Sequence, residues 1–494
     1  MEIEQSTKWQ EGFMQRLNGE QSWQSWALYQ MNYELTKAQL IPDFSGLQCV
    51  KYLPMLSPLQ HQIEAATTVI EQMHGKAILA DEVGLGKTIE AGLILKEYMV
   101  RGLVQKALIL APASLITQWI DELTLKFHIP AVAYHKKYGL EQCNIVVMSM
   151  DTAKKSPHKE RIYAQNFDMI IIDEAHKLKN HKTQIYEFVQ SLKKKFCLLL
   201  TATPIQNNIF ELFYLISLLK PGQLGSYEAF QAAFSAKKQS LEHQEFLQEL
   251  VHQVMVRNRR EDTNVEWTKR HVQIVPIHFS QEEQAIYEQI SSLDVPNPMT
   301  RLTLQKELCS SKEALCETLS KMPQLPEELM EGLQQLTINS KAQKTAELIQ
   351  QINNKVIIFT EYRATQHYLQ AYLYEMGITS VLFNGKYKKS KRDYMKHLFK
   401  EHAQVLIATE AGGEGINLQF CSHVINYDLP WNPMKLEQRI GRVHRLGQTE
   451  DVQIYNFAVE QTIEQHILAL LHAKIDVFEQ VVGELDAILT NRSG

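Results

Sequence analysis

Apolar residues are distributed along this chain in two kinds of pattern. Short unbroken apolar runs at 77–80, 107–110, 145–148, 169–172 and 196–200 are separated by longer stretches with apolar positions at helical spacing. A run without a polar face suits a strand buried on both sides, and strands alternating with helices suit a parallel sheet. The series resumes at 356–359, 405–408, 423–427 and 452–457, so the expected fold class is α/β with two parallel-sheet lobes. Between them, from about 205 to 336, the pattern turns helical and polar. Phe210, Phe213, Tyr214 and Leu218 recur at helical spacing, while Pro296, Pro298, Pro323 and Pro326 mark breaks. The stretch 462–489 repeats apolar residues at helical spacing and predicts an amphipathic helix docked on a lobe. Trp9, Phe13, Trp23, Trp26, Tyr29 and Tyr33 near the start read as the packing of a small helical segment rather than a base-stacking surface.

The expected organisation is therefore an N-terminal helical segment (1–45), a first lobe (46–260) with a helical insertion at about 205–256, a helical linker (261–335), and a second lobe (336–494) that ends in a helix. At 494 residues the chain is longer than one core usually supports, roughly 250–300 residues. The 51 basic and 56 acidic side chains leave a formal charge of −5, so any contact with nucleic acid must come from a local basic surface. Six cysteines without a C-x-x-C pair read as reduced thiols. No apolar run reaches the roughly 18–20 residues that span a bilayer, and the start has neither a basic nor an apolar leader region. A cytoplasmic, monomeric protein without a membrane partner is expected.

The first candidate chemistry follows the strand at 77–80. Asp81, Glu82, Val83, Gly84, Leu85, Gly86, Lys87 and Thr88 lead directly into a helix pattern. A phosphate needs backbone N–H groups and a helix N-terminus aimed at it, and glycines let the chain come close. Lys87 would neutralise the β and γ phosphates of ATP, and the Thr88 hydroxyl would ligate Mg2+. The strict phosphate-loop pattern has Gly where this chain has Asp81, but the strand and helix around it are both in place. The run 169–172 ends in Asp173 and Glu174, at the carboxyl edge of a strand where α/β sheets bind ligands. Asp173 would hold the magnesium and Glu174 would orient or deprotonate the attacking water. Thr201 and Thr203 end a further strand and could sense the γ-phosphate.

Phosphoryl transfer also needs positive charge from the far side of the nucleotide. Gln438, Arg439, Arg442 and Arg445 offer it, with Arg442 and Arg445 three apart and expected on one face of a helical turn. Only closure of the two lobes would bring them to the phosphates, which ties hydrolysis to interdomain motion.

Taken in order, these elements resemble the motifs of superfamily-two helicases, from about 58 to 449. The strings DEAHKLKN, TATPIQNN, LLKPGQLGSYEAF, EGINLQ and RVHRLGQT resemble the Swi/Snf-like branch. That resemblance implies two RecA-like lobes and ATP-driven translocation along duplex DNA. It implies that Gln60, with Leu59 and Gln62 around it, reads the adenine edge. It places Gly415 and Asn417 beside the nucleotide, and Ser114, Thr117 and Thr409 against the DNA backbone. Lys386, Lys388, Lys391 and Arg392, with Lys389, form a basic cluster where the family's second lobe grips phosphates. Basic clusters at Lys136–Lys137 and 193–195 are as readily solvated faces, and a third comprises Arg257, Arg259 and Arg260. Such contacts carry no sequence code.

The chain departs from the eukaryotic pattern in having Asp81-Glu-Val instead of Asp-Glu-Met and in lacking histone-reading segments, so a compact bacterial-type member is expected. Its targets would be DNA-bound proteins, RNA polymerase among them. Two other readings compete: a strand-separating DNA or RNA helicase, and a non-hydrolysing adaptor, against which the intact Lys87, Asp173, Glu174, Arg442 and Arg445 argue.

Overall fold

The apolar runs form the strands of two parallel sheets. The first sheet comprises β1 (Lys76–Leu79), β2 (Ala107–Ala111), β3 (Ala131–Ala133), β4 (Ile145–Ser149), β5 (Met169–Asp173), β6 (Phe196–Leu200) and β7 (Met255–Val256). Their order is β3-β4-β2-β5-β6-β1-β7. The second comprises β8 (Arg270–Ile277), β9 (Val356–Thr360), β10 (Ser380–Phe383), β11 (Val405–Thr409), β12 (His423–Asn426) and β13 (Val452–Val459), in the order β10-β11-β9-β12-β13-β8. The central strands β2, β6, β9 and β11 are buried at every position, as strands covered by helices on both faces must be. This is the two-lobed α/β architecture that the strand series predicts.

The computed structural model describes residues 14, 25–39, 46–135, 140–205, 209–234, 249–295, 297–322, 327–337, 339–385, 387, 389–409, 418–482 and 488–489. The chain divides into two compact units, 1–45 and 46–494. In the first, the helix Trp26–Gln39 carries Trp26, Tyr29 and Tyr33 stacked in series at 5.2 and 6.4 Å. All three rings are exposed, so they are not packed as the sequence suggested; Trp9, Phe13 and Trp23 lie outside the described residues.

Two segments differ from the sequence expectation within the second unit. Met255–Val256, expected in a helical insertion, pairs with β1 as an edge strand. The segment 261–335, expected as a helical linker, supplies β8, which pairs along its whole length with β13. β8 was hidden because it is an edge strand: its residues RHVQIVPI mix exposed and half-buried positions and include Pro276, so no apolar run marks it. The helices of this segment are also built into the second lobe. Ser310, at the end of the helix Pro298–Ser310, donates to Asp428 at 3.0 Å, and its carbonyl accepts from the Tyr427 hydroxyl at 2.9 Å. Lys306 from the same helix bonds Glu361 at 2.7 Å. The closing helix Ile463–Val482 docks through buried Ile467, Leu471 and Phe478.

Candidate functional site

Parallel register brings three loops to one edge of the first sheet. Leu79 of β1 and Asp173 of β5 both pair with Leu200 of β6, so the three chains leave the sheet in one row, spaced about 5 Å apart. The loop after β1 turns through Gly84 and Gly86, with φ of 100° and 98°, a left-handed conformation that only glycine adopts freely. Gly86 caps the helix Lys87–Val100. A Cβ on Gly86 would lie 2.6 Å from Gln62 Nε2, so the loop lies directly against the helix Gln60–Glu71. The Lys87 ammonium spans the loop, donating to the carbonyls of Asp81 at 2.6 Å and Glu82 at 3.2 Å. Thr88 follows in the first helical turn.

Asp173 is fixed from two sides. The indole of buried Trp119 donates to Oδ2 at 2.9 Å, and the Glu174 amide donates to Oδ1 at 2.8 Å. Burial, and then the charge of Glu174, push its pKa up to about 6 against those hydrogen bonds. Glu174 leaves the strand in a left-handed conformation, φ 51°, with Oε2 3.1 Å from His176 Nδ1. Burial works against its ionisation, but His176 and then Lys87 and Arg442 hold the carboxyl below its usual range. Thus the charges of Lys87 from one lobe and Arg442 from the other both act on one carboxylate. Thr201 accepts from the Thr203 amide at 3.0 Å, closing the turn after β6.

The second lobe meets this edge through the helix Pro433–Ile440, which is capped by Asn432. The helix ends at Ile440, so Arg442 and Arg445 occupy the turn beyond it instead of sharing one helical face. A Cβ on Gly441 would come within 2.4 Å of Val83 Cγ1, and one on Gly84 within 3.5 Å of Arg445 Cγ. The turn therefore lies in van der Waals contact with the phosphate loop. Burial and the neighbouring Arg442 lower the Arg445 pKa to about 10.

A cleft of about 860 Å³ opens between the lobes, lined by Glu174, His176, Gln438 and Thr409, and by Ser114 and Arg392. Lys177, Arg363, Asn432 and Lys435 also line it; sequence reasoning did not single them out because none belongs to a basic cluster and only the fold brings them to one cleft. Thr117 is exposed in the first turn of the helix Ile116–Phe127 and is not part of the lining. Lys391 is exposed, its ammonium 4.1 Å from the Tyr387 ring centroid. Gln60 is exposed and bonds Glu64, and it is His61 and Gln62 that reach the Leu85 carbonyl, at 3.1 and 2.8 Å. Gly415, Asn417, Lys386 and Lys388 lie outside the described residues.

The basic cluster at 257–260 is not a solvated face. Arg260 is 2% exposed, held by Glu82 and Glu437, and Arg270 clamps Glu437 at 2.6 Å. These ionic contacts join residues more than 160 positions apart, which no local pattern announces.

A glycine-turned loop at a helix N-terminus, two successive carboxylates at the end of one strand and an arginine turn from a second parallel lobe point to the class: a two-lobed ATPase. The chain belongs to the SNF2-related helicase family, whose SNF2-related domain profile matches residues 61–358 and whose helicase conserved C-terminal domain profile matches 340–447. It is 59% identical to the ATP-dependent helicase YqhH of Bacillus subtilis, over 98% of this chain and 90% of that one. It is 28% identical to the RNA polymerase-associated protein RapA of Actinobacillus pleuropneumoniae over 90% of its own length, and spans 52% of the length of that relative. Among solved structures it is similar to the Sulfolobus solfataricus SWI2/SNF2 ATPase core in complex with double-stranded DNA, at 24% identity and a TM-score of 0.44, covering 90% of this chain and 95% of that one.

Proposed function

We propose that this protein is an ATP-driven translocase that moves along duplex DNA as a monomer in the cytoplasm, displacing bound proteins, RNA polymerase among them. The supporting observation is the cleft itself. Glu174 and Gln438, from the hydrolytic set, open into the same cavity as Ser114, Arg363, Arg392, Thr409 and Lys435, groups suited to a phosphate backbone. A change at the nucleotide is thus felt by the surface that would hold DNA. The relatives named as RNA polymerase-associated support the choice of displaced partner.

In this reading the loop 81–88 cradles the phosphates with its backbone amides, Lys87 neutralises the β and γ groups, and Gln60 reads the adenine edge. Gly415 and Asn417 border the nucleotide from the second lobe. Thr88 and Asp173 are oxygen donors of the kind Mg2+ requires, and Asp173, pushed up to about 6 in its buried place, is a carboxylate short of positive charge. Bound there, the ion would neutralise charge on the transferring phosphoryl group. Glu174 orients the attacking water and accepts its proton, while Arg442 and Arg445 supply positive charge from the opposite lobe. DNA contacts fall to Ser114, Thr117, Lys386, Lys388, Lys391, Arg392 and Thr409, through the backbone and without sequence preference.

Steady-state ATP hydrolysis by the purified protein, alone and with duplex DNA, single-stranded DNA or RNA at matched low salt, tests the proposal. Strong stimulation by duplex is expected. Stimulation by single strands or RNA alone would replace it with a strand-separating helicase, and absence of hydrolysis would favour an adaptor.

A further inference from the structure

Arg260 lies just beyond β7, where the chain leaves the first lobe, yet its side chain touches both lobes. Its backbone amide donates to Glu82 Oε2 at 3.0 Å, and its Nη1 lies 3.3 Å from the same oxygen. Its Nη2 donates to the carbonyl of Val83, inside the phosphate loop. The same guanidinium reaches Glu437 Oε1, at 3.5 Å from Nη1 and 3.4 Å from Nη2. Glu437 directly precedes Gln438 on the helix that leads to Arg442 and Arg445. One planar cation therefore holds the loop on one side and the root of the arginine turn on the other.

The two ends of this bridge differ in strength. Glu437 is clamped by Arg270 at 2.6 and 2.9 Å, whereas its contacts with Arg260 are at the limit of hydrogen bonding. Arg260 can leave Glu437 without stranding a buried carboxylate, because Arg270 keeps it paired, and breaking a buried pair outright would be strongly unfavourable. At the loop end Arg260 engages a main-chain carbonyl as well as Glu82, so it responds to the path of the loop backbone. The Trp267 ring, 5.3 Å from the guanidinium, covers it.

We propose that Arg260 is a positioning residue that couples the phosphate loop to the arginine turn, so that a nucleotide-dependent change in the loop at Val83 is passed through one guanidinium to Glu437 and hence to Gln438, Arg442 and Arg445. The proposal rests on the reading of 81–88 as the nucleotide site. Lysine keeps the charge but, as a point charge on a flexible stem, cannot bridge a carbonyl and two carboxylates in fixed geometry.

The test compares wild type, Arg260→Lys and Glu174→Gln as full chains. It measures thermal melting, affinity for a fluorescent ATP analogue, and kcat and KM for ATP with the most stimulating nucleic acid. Arg260→Lys is expected to melt cooperatively and bind the analogue within about threefold of wild type, while its kcat falls about tenfold or more at unchanged KM, the signature of an interaction made only in the transition state. Wild-type kcat overturns the proposal. So does a loss of activity that merely follows a loss of binding-competent protein, the mark of a structural role. Should Arg260→Lys fail to fold, Glu437→Gln gives the second reading, with the same split expected and wild-type kcat again overturning the coupling. Retained turnover in Glu174→Gln sinks the assignment of the hydrolytic site instead, so the two failures are told apart.

Discussion

Glu174 shows how a single residue's surroundings select its chemistry. Its left-handed backbone turns the carboxylate out of the strand, and His176, Lys87 and Arg442 keep it ionised despite burial, the state a proton acceptor needs. Glu174→Gln should bind ATP yet lose turnover by roughly 10²–10⁴-fold, and Lys87→Ala should lose both, as read by analogue binding beside steady-state hydrolysis. Full activity in either variant rules out the role assigned to that residue. Gly441 poses a different kind of test. Its φ is −64°, so alanine meets no backbone strain there, but a methyl group would press on Val83. Gly441→Ala should therefore fold and bind nucleotide while losing on the order of 10²-fold in kcat, the usual cost of misplacing a catalytic group by about 1 Å. Lys87, Asp173 and Glu174 were legible in the sequence because strand, loop and helix are contiguous there. Trp119 was not, since its bond to Asp173 joins residues 54 apart.

At the scale of elements, the joint between β8, the helix Pro433–Ile440 and the turn after it has a predictable response to acid. The Arg270 guanidinium can only donate, so His444 Nδ1 accepts from it at 2.9 Å; the Thr268 carbonyl can only accept, so Nε2 carries the proton, at 2.8 Å. Both nitrogens are committed to the neutral ring. Burial, with Arg270 and Arg260 beside it, lowers the His444 pKa to about 4. Its contribution is fully present above about 6.5 and is lost as pH falls towards 4, because the unfolded chain takes up a proton there that the folded one refuses. Burial of Glu437 is outweighed by Arg270 and Arg260, which hold its pKa at about 2, so its contribution is lost only below about 4.5. Between pH 6.5 and 4 His444 contributes a loss of roughly 3 kcal/mol, opposed by the buried carboxyls of Asp173 and Glu307, pushed up to about 6 and 7, which favour the folded chain as they take up protons. His444→Gln should therefore lose less stability, relative to wild type, as pH is lowered from 6.5 to 4, and an unchanged pH dependence of the thermal midpoint in the variant would count against the assignment. No local pattern announced this joint, because β8 has the mixed polarity of an edge strand.

For the whole molecule, a formal charge of −5 means that the proposed DNA contacts would have to be made by local surfaces. Arg392 lines the interlobe cleft with its guanidinium anchored on the Gly385 and Tyr387 carbonyls, at 3.0 and 3.1 Å. Arg392→Gln should weaken duplex binding by a similar factor across sequences and reduce the slope of log affinity against log salt by about 1. A sequence-dependent loss, or an unchanged slope, would remove it from the backbone contacts. Among the described residues no helix is long and apolar enough to cross a membrane.

The two lobes and the loops proposed to carry the chemistry could be read from the chain alone, because each is encoded by neighbouring residues: an apolar run, the glycines or carboxylates that follow it, and the helix pattern after that. How the lobes are joined emerged only from the folded arrangement. That β8 closes the second sheet, that Gly441 seats on Val83, and that Arg260 lies between Glu82 and Glu437, 178 and 177 residues away, all depend on contacts between distant parts of the chain. Local periodicity reports which face of an element is apolar, whereas the partner of a buried charge is fixed only when two folded lobes bring opposite charges out of water together.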